Sequence, residues 1–315
     1  MKRTASIFYV AVICILLVLS ASSARQVIPS SAAPNDGPTA YMPLVWKVYP
    51  NPPLVVDHRN TDITDIPDQW IEEAKKFVVH YAHTSHGSQV LTGLTWLENQ
   101  DPKYNVDIQA SGSVVLPGDT TALRIYDGNN YPGDTYITPE KYWESADGIN
   151  HTRSVIATGW FDFSLWTWCG QATSYSETQI QTYLDVLAGF EDEYPGNGAI
   201  YYTGHTDGSA PGSTLWRNND MIRQYVQDNQ MVLFDFADIE VYTPDGSGPY
   251  YNDGNGNCEW CEAWCSNHLT SFECQDLPEP DTECAHTHGL FCTLKGQAFW
   301  ALMARLAGWD GTPAP

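Results

Sequence analysis

The sequence predicts an α/β fold, a mostly parallel sheet covered on both faces by helices, in one domain spanning residues 71–315. Short apolar runs of strand length alternate with amphipathic stretches of helix length, joined by short links. The stretch left after the N-terminal segments, about 260 residues, suits a single domain of this class. Each apolar run also ends in a polar cluster, which is where an open parallel sheet places its ligand.

The chain opens with Lys2 and Arg3, an apolar stretch from Ile7 to Leu19 and the small residues SASSA. This is the order of a secretory signal, predicted over residues 1–24, and it implies an exported protein. Residues 25–70 are predicted as a tether or strap; the Pro-, Ser- and Ala-rich part to residue 53 has no helical or strand period. KKFVVHYA (75–82) is the first predicted strand, followed by 83-HTSHGSQ-89 and a helix from Val90. Between residues 101 and 150 the pattern reads as inserted loops, with a short helix at Thr138-Pro139-Glu140. SVIATGW (154–160) is the second apolar run and leads into FDFSLWTWCGQ.

Ser176 and Gln179 have the spacing of a capping box, opening a helix to about Glu193. Its apolar residues Ile180, Tyr183, Leu184, Leu187 and Phe190 share one face. GAIYYTGH (198–205) is the third strand, with a helix over Ser213–Asn229 behind it. MVLFDFADIE (231–240) is the fourth, and LKGQAFWALMARLAGW (294–309) is the closing helix.

A formal charge of -23 repels phosphate backbones and anionic lipid, so neither nucleic acid nor a membrane surface is an expected partner. Twelve Trp and eighteen Tyr are many for this length, and exported proteins that hold sugars often expose such rings. Of eight cysteines, Cys14 falls in the signal and six crowd into residues 258–292. In an exported protein that density predicts three disulfides, although Cys258-x-x-Cys261 also has zinc-ligand spacing. Cys169 is left over, either free and buried or paired into the cluster. The stretch 253-DGNGN-257 alternates oxygen side chains, but Cys258 and Trp264 break the calcium-loop pattern and it reads as a turn.

The strand ends supply the candidate chemistry. Ser85 sits at a strand-to-helix turn, where free backbone N–H groups can hold an oxyanion and a nearby base would make it a nucleophile. Gly170 and Gln171, after the second run, offer an unobstructed N–H and a side-chain amide. In 203-TGHTDG-208, His205 or Thr206 is a further donor, and Asp207 orients a histidine or closes the turn. In 283-ECAHTHG-289, Glu283 stands three residues before His286 and Asp281 five before it, a spacing that can orient an imidazole as base; His288 competes for that role. His83 and His86 are expected to shape the pocket.

That order of blocks resembles the SGNH/GDSL-type hydrolases over roughly residues 75–308, with HTSHG similar to the His-x-Ser-x-Gly first block of divergent members. The resemblance implies a flavodoxin-like three-layer α/β/α sandwich, here carrying a disulfide-rich insertion. It also implies a Ser85 nucleophile, oxyanion donors from Ser85, Gly170 and the third block, and an ester or acetyl-ester substrate, often on a polysaccharide. His286 is then the base, with Glu283 or Asp281 orienting it, and neither metal nor cofactor is required. Thr206 stands where the family commonly carries Asn, and His-Thr-Ser replaces Gly-Asp-Ser. A metal-dependent hydrolase using His83, His86, His205, Asp207, His286 and His288 is the enzymatic alternative. A non-catalytic extracellular binding protein is the other. The oligomeric state is left open.

Overall fold

The computed structural model describes residues 53–312. The predicted signal, and the tether as far as residue 52, lie outside the described residues. The rest of the expected strap is structured: Leu54–Val56 enters the sheet as strand β1. The other strands are β2 (Val78–His83), β3 (Val106–Ala110), β4 (Leu123–Asp127), β5 (Phe163–Thr167), β6 (Gly198–Tyr202) and β7 (Val232–Phe234). Their order is β1-β7-β6-β5-β2-β4-β3, and every neighbouring pair is parallel. Without the edge strands β1 and β3 the remaining five run in the flavodoxin-like order 2-1-3-4-5.

Helices α1 (Asp68–Ala74), α2 (Ser88–Gln100) and α9 (Gly289–Ala307) pack together on one face. On the other lie α3 (Ala146–Ile156), α4 (Gln171–Ser174), α5 (Glu177–Glu193) and α6 (Thr214–Asn229). Two short helices follow β7, α7 (Phe236–Val241) and α8 (Cys261–Asn267). Right-handed crossovers account for the two faces, since the chain moves towards β3 before β4 and towards β7 after it. The direction reverses between β2 and β5, which opens a crevice at their C-terminal ends.

The expected helix behind Ser176 forms with both capping-box hydrogen bonds, and its five apolar residues are buried. Three expectations need correction. SVIATGW is no strand: its first residues close α3, and the strand is FSLWT a few residues on. A short apolar run has no period that separates a strand from a buried helix end. MVLFDFADIE is a strand only to Phe234, because the Asp235 side chain accepts from Asp238 N–H and starts α7. Residues 101–150 hold β3 and β4 as well as loops; the side chains of edge strand β3 are all half-buried or exposed, which hides it from an apolar search.

Nearly all of α9 is buried, and it crosses α2 at contact distance. A Cβ on Gly93 would lie 1.9 Å from the Cys292 carbonyl oxygen, and one on Gly296 would lie 2.3 Å from the Gly93 backbone. The cysteine-rich segment is closed by the disulfides Cys258–Cys261, Cys265–Cys274 and Cys284–Cys292. Cys169 is free. Most tryptophans and tyrosines serve the core: Trp143, Trp166, Trp168 and Tyr183 pack edge to face in one cluster. Among the described residues, Tyr136, Trp160 and Phe272 are the exposed aromatics.

Candidate functional site

The crevice between β2 and β5 is furnished by three strand ends. After β2 the chain makes one 3-10 turn, Ser85–Gly87, and passes straight into α2. That turn presses on β5: a Cβ at Gly87 would meet Thr167 Oγ1 at 1.9 Å, so only glycine fits. Beyond β5, buried Trp168 donates from Nε1 to Tyr202 O at 2.9 Å and anchors the residue that follows it, Cys169. Beyond β6, Gly204 is held at both backbone groups by Asn219 of α6, at 2.8 and 3.0 Å, which sets the course of His205.

These three ends meet on one sulfur. Cys169 Sγ lies 3.2 Å from His86 Nδ1 and 3.1 Å from Ser85 Oγ. His205 completes the group, the candidate donor atoms of His86, Cys169 and His205 all lying within 4.8 Å of one another. Each imidazole gives its far N–H to a backbone carbonyl: His86 Nε2 to Asn255 O at 2.9 Å, and His205 Nδ1 to Thr206 O. Such bonds set the tautomer and turn the other nitrogen of each ring towards the thiol. Asn255 reaches His86 because Asp253 Oδ1 accepts from Asn255 and Asn257 N–H, closing the DGNGN turn over the site. Gly256, at φ 78°, passes His205 Nδ1 so closely that a Cβ would come within 2.9 Å of it.

Burial alone would raise the thiol pKa. Hydrogen bonds from His205 and His86, the charge of His86 and the Ser85 hydroxyl outweigh it and bring Cys169 down to about 4. The two histidines are pushed apart. Burial lowers His86, aided by the charge of His205; His205 is raised despite its burial, by the hydrogen bond to Cys169 and the charge of Glu240. Glu240 is fully buried, receives Thr206 N–H at 2.7 Å and Thr206 Oγ1 at 2.8 Å, and pairs with fully buried Lys295 at 2.6 Å. Thr206 is thereby a backbone support for His205 instead of a free donor.

Two imidazoles and a thiolate are a donor set that suits zinc or copper. The rings of His86 and His205, however, stack at 3.6 Å between centroids with planes 3° apart. An ion cannot lie in both of two separated parallel planes, so holding one requires a ring to turn. A second group, Asp57, His58 and Asp238, is internally satisfied: Arg59 pairs with Asp57, and His58 with Asp238.

The other expected residues are distributed as follows. Ser85 is in the site, and Gly170 beside Cys169 is exposed with open space around its Cα. Gln171 Oε1 accepts from Cys169 N–H at 2.8 Å. His286 also arrives, stacking on His86 at 4.7 Å, but among the described residues no hydrogen bond joins it to Ser85. The expected Ser85–His286–Glu283 relay is not assembled. Glu283 is exposed, its carboxylate accepts from Glu279 N–H, and its own N–H returns to Glu279 O at 3.0 Å in a local turn. Asp281 is exposed at a turn with φ 61°. His288 caps α9 by accepting from Leu290 N–H and lies 3.6 Å from Glu262. Asp207 closes a turn onto Ser209 N–H, and His83 pairs with Asp127 at 3.2 Å. The histidines scattered over His83, His86, His205, His286 and His288 therefore form no common metal cluster; only His86 and His205 share one, with Cys169.

Sequence reasoning missed Cys169 as the centre, along with Asn255, Glu240 and Lys295. One signal was present: a cysteine at a strand end, left without a partner while six others pair off. No protein-family model, curated protein or solved structure matches this chain.

Proposed function

We propose that the protein is an acyl hydrolase acting on an ester, with Cys169 as nucleophile in place of the serine expected from the SGNH/GDSL-type resemblance. The observation that carries this reading is the sulfur of Cys169 held between His86 Nδ1 at 3.2 Å and Ser85 Oγ at 3.1 Å, in the crevice where the sheet reverses direction. A thiolate next to an imidazole is an activated nucleophile. The opposed shifts of the two histidines divide the work. His205, raised by its hydrogen bond to Cys169 and the charge of Glu240, stabilises the thiolate and supplies the proton to the leaving group, while His86 is the base for the attacking water.

In the acylation step Sγ bonds to the ester carbonyl carbon, the oxyanion collapses, and the carbon–oxygen bond to the leaving group breaks as the His205 imidazolium protonates the alkoxide. His86 then takes a proton from water, whose oxygen attacks the thioester; the sulfur departs as thiolate, the carboxylic acid is released, and the proton gained by His86 passes to His205 to restore the starting state. Gly170 N–H, open to solvent, and the Gln171 side-chain amide, beside Cys169, are the groups assigned to receive the oxyanion. Ser85 donates its hydroxyl to the sulfur.

Hydrolysis of 4-nitrophenyl acetate tests this. Cys169→Ala should lower kcat/KM by about a thousandfold or more, and His86→Ala by about a hundredfold or more. Ser85→Ala should retain most of the activity. Loss with Ser85→Ala but not with Cys169→Ala would return the nucleophile to the serine. A second reading, a metal-dependent hydrolase, is favoured by the gathering of two imidazoles and a sulfur; stoichiometric zinc in the purified protein, with activity lost on chelation, would select it.

A further inference from the structure

Behind the candidate site, closed to solvent, Lys295 and Glu240 form the centre of a second polar group. Lys295 on α9 gives its ammonium to Glu240 Oε1 of α7, at 2.6 Å, and to Gln89 Oε1 of α2. The face of the Phe236 ring, 3.7 Å from Nζ, takes its third side. Among the described residues no hydrogen bond runs from either charge to Cys169 or to an imidazole. Whatever the pair does for the site, it does through other residues.

Its ties run to each of the segments that build the site. Glu240 Oε2 accepts Thr206 N–H at 2.7 Å and Thr206 Oγ1 at 2.8 Å, and Thr206 O in turn holds His205 Nδ1. Gln89 stands three residues past His86 in the first turn of α2, so its bond to Lys295 fixes the turn that carries His86. The Gln89 amide then donates to Ala285 O at 2.5 Å, and the next residue, His286, is held at φ 65°, a strained conformation for a residue other than glycine. Asn252 donates to Glu240 O at 3.1 Å and to Thr206 Oγ1 at 2.8 Å. One residue later begins the turn whose Asn255 carbonyl holds His86.

His205, His86 and His286 stack in that order, with centroids 3.6 and 4.7 Å apart. Stacking has little directional hold, so the register of the rings depends on the backbones that carry them. A buried ion pair is a poor source of stability, because the desolvation of both ions offsets their attraction and an apolar pair of similar volume often serves as well. What an apolar pair lacks is directional bonds, and here those bonds lead to the segments that carry the three rings.

We propose that Lys295 and Glu240 are positioning residues, which hold the three imidazoles in register with Cys169 through Thr206, Gln89 and Asn252. Their part in turnover rests on the acyl-hydrolase reading, but the alignment itself is read on the Cys169 thiol without turnover.

The test compares the wild-type protein with Glu240→Gln and with the double variant Glu240→Leu, Lys295→Met, which removes both ions and leaves no unpaired charge. Each is followed by thermal melting and by the pH profile of Cys169 carbamidomethylation with iodoacetamide. The double variant should still melt cooperatively, with the midpoint of its alkylation profile raised by about one pH unit or more, a loss of about tenfold or more in thiolate on the acid side. Glu240→Gln keeps an acceptor for Thr206 N–H and loses the charge, and Lys295, lowered by its burial to about 8, can shed its proton there. Its midpoint should lie between those of the wild type and the double variant. A wild-type midpoint in the folded double variant, or in Glu240→Gln if the double variant does not fold, means that the pair serves stability alone and overturns the proposal. With 4-nitrophenyl acetate the double variant should lose about tenfold or more in kcat with little change in KM. If wild-type turnover does not depend on Cys169, the hydrolase reading fails on that result, while the alkylation profiles still decide the positioning role.

Discussion

Cys169 is surrounded by groups that each have a separate tie to the fold. Asn255 holds His86, Thr206 holds His205, and Gln171 holds the Cys169 backbone. Because these ties act on the far side of each group, the faces towards the sulfur are left free for a proton or a substrate. The shift of the thiol to about 4 has a direct consequence for alkylation. An ordinary thiol, with a pKa of about 8.5, loses about tenfold in thiolate for each pH unit below that value. Cys169 is a depressed acid and stays ionised as the pH falls until its own pKa is reached. Its carbamidomethylation by iodoacetamide should therefore be nearly constant from about pH 8 down to about pH 5 and fall only below that. Peptide mapping by mass spectrometry isolates the Cys169 peptide and reads the rate. A His86→Ala, His205→Ala double variant should move the fall upward towards the ordinary thiol range; a profile that does not move would remove the histidines as the cause.

At the level of elements, α2 carries the Ser85–His86 turn at its N-terminus, so the position of α2 is the position of His86. Gly93 and Gly296 allow α2 and α9 to cross in backbone contact, and no side chain fits between them. Gly296→Ala would force the helices apart, at a cost of about 1–3 kcal/mol or more, as in other overpacked cores. Urea unfolding should show a lower midpoint with an unchanged slope, and the proposed ester hydrolysis should fall further than stability alone explains, because His86 moves with its helix. The helices were the legible elements. The Ser176 capping box and the period of α5 are local patterns, and both appear as read. Strand boundaries were less legible, since a three-residue strand such as β7 is too short to show a period and Asp235 disguises a helix cap as strand.

For the whole molecule, the formal charge of -23 is spread over a chain with only 15 Lys and Arg, so the compact state repels itself. Salt screens exposed charges over a Debye length of about 10 Å at about 0.1 M and about 3 Å at about 1 M. The melting temperature should rise steadily as sodium chloride is raised across that range. A flat response in differential scanning calorimetry would mean that the acidic groups are already neutralised locally, for instance by bound cations. The buried Lys295–Glu240 pair lies outside this screening, with both side chains sealed from solvent.

The sequence by itself determined the class of fold, the polar strand ends and the cysteine-rich segment, which is closed by three disulfides. These depend on periodicity, length and composition, all of which act over a few residues. It also brought Ser85, Gly170 and His205 to one edge of the sheet, because every strand end of a parallel sheet faces the same way. Only the tertiary structure decided which polar groups touch. Ser85 and Cys169 are 84 positions apart, yet they meet at 3.1 Å because β5 pairs directly with β2 while β3 and β4 are laid down on the far side. Glu283, three residues before His286, is exposed and accepts from Glu279 N–H instead of meeting the imidazole in a hydrogen bond. Strand order and competing hydrogen bonds decide such contacts, and neither leaves a local trace in the pattern of side chains.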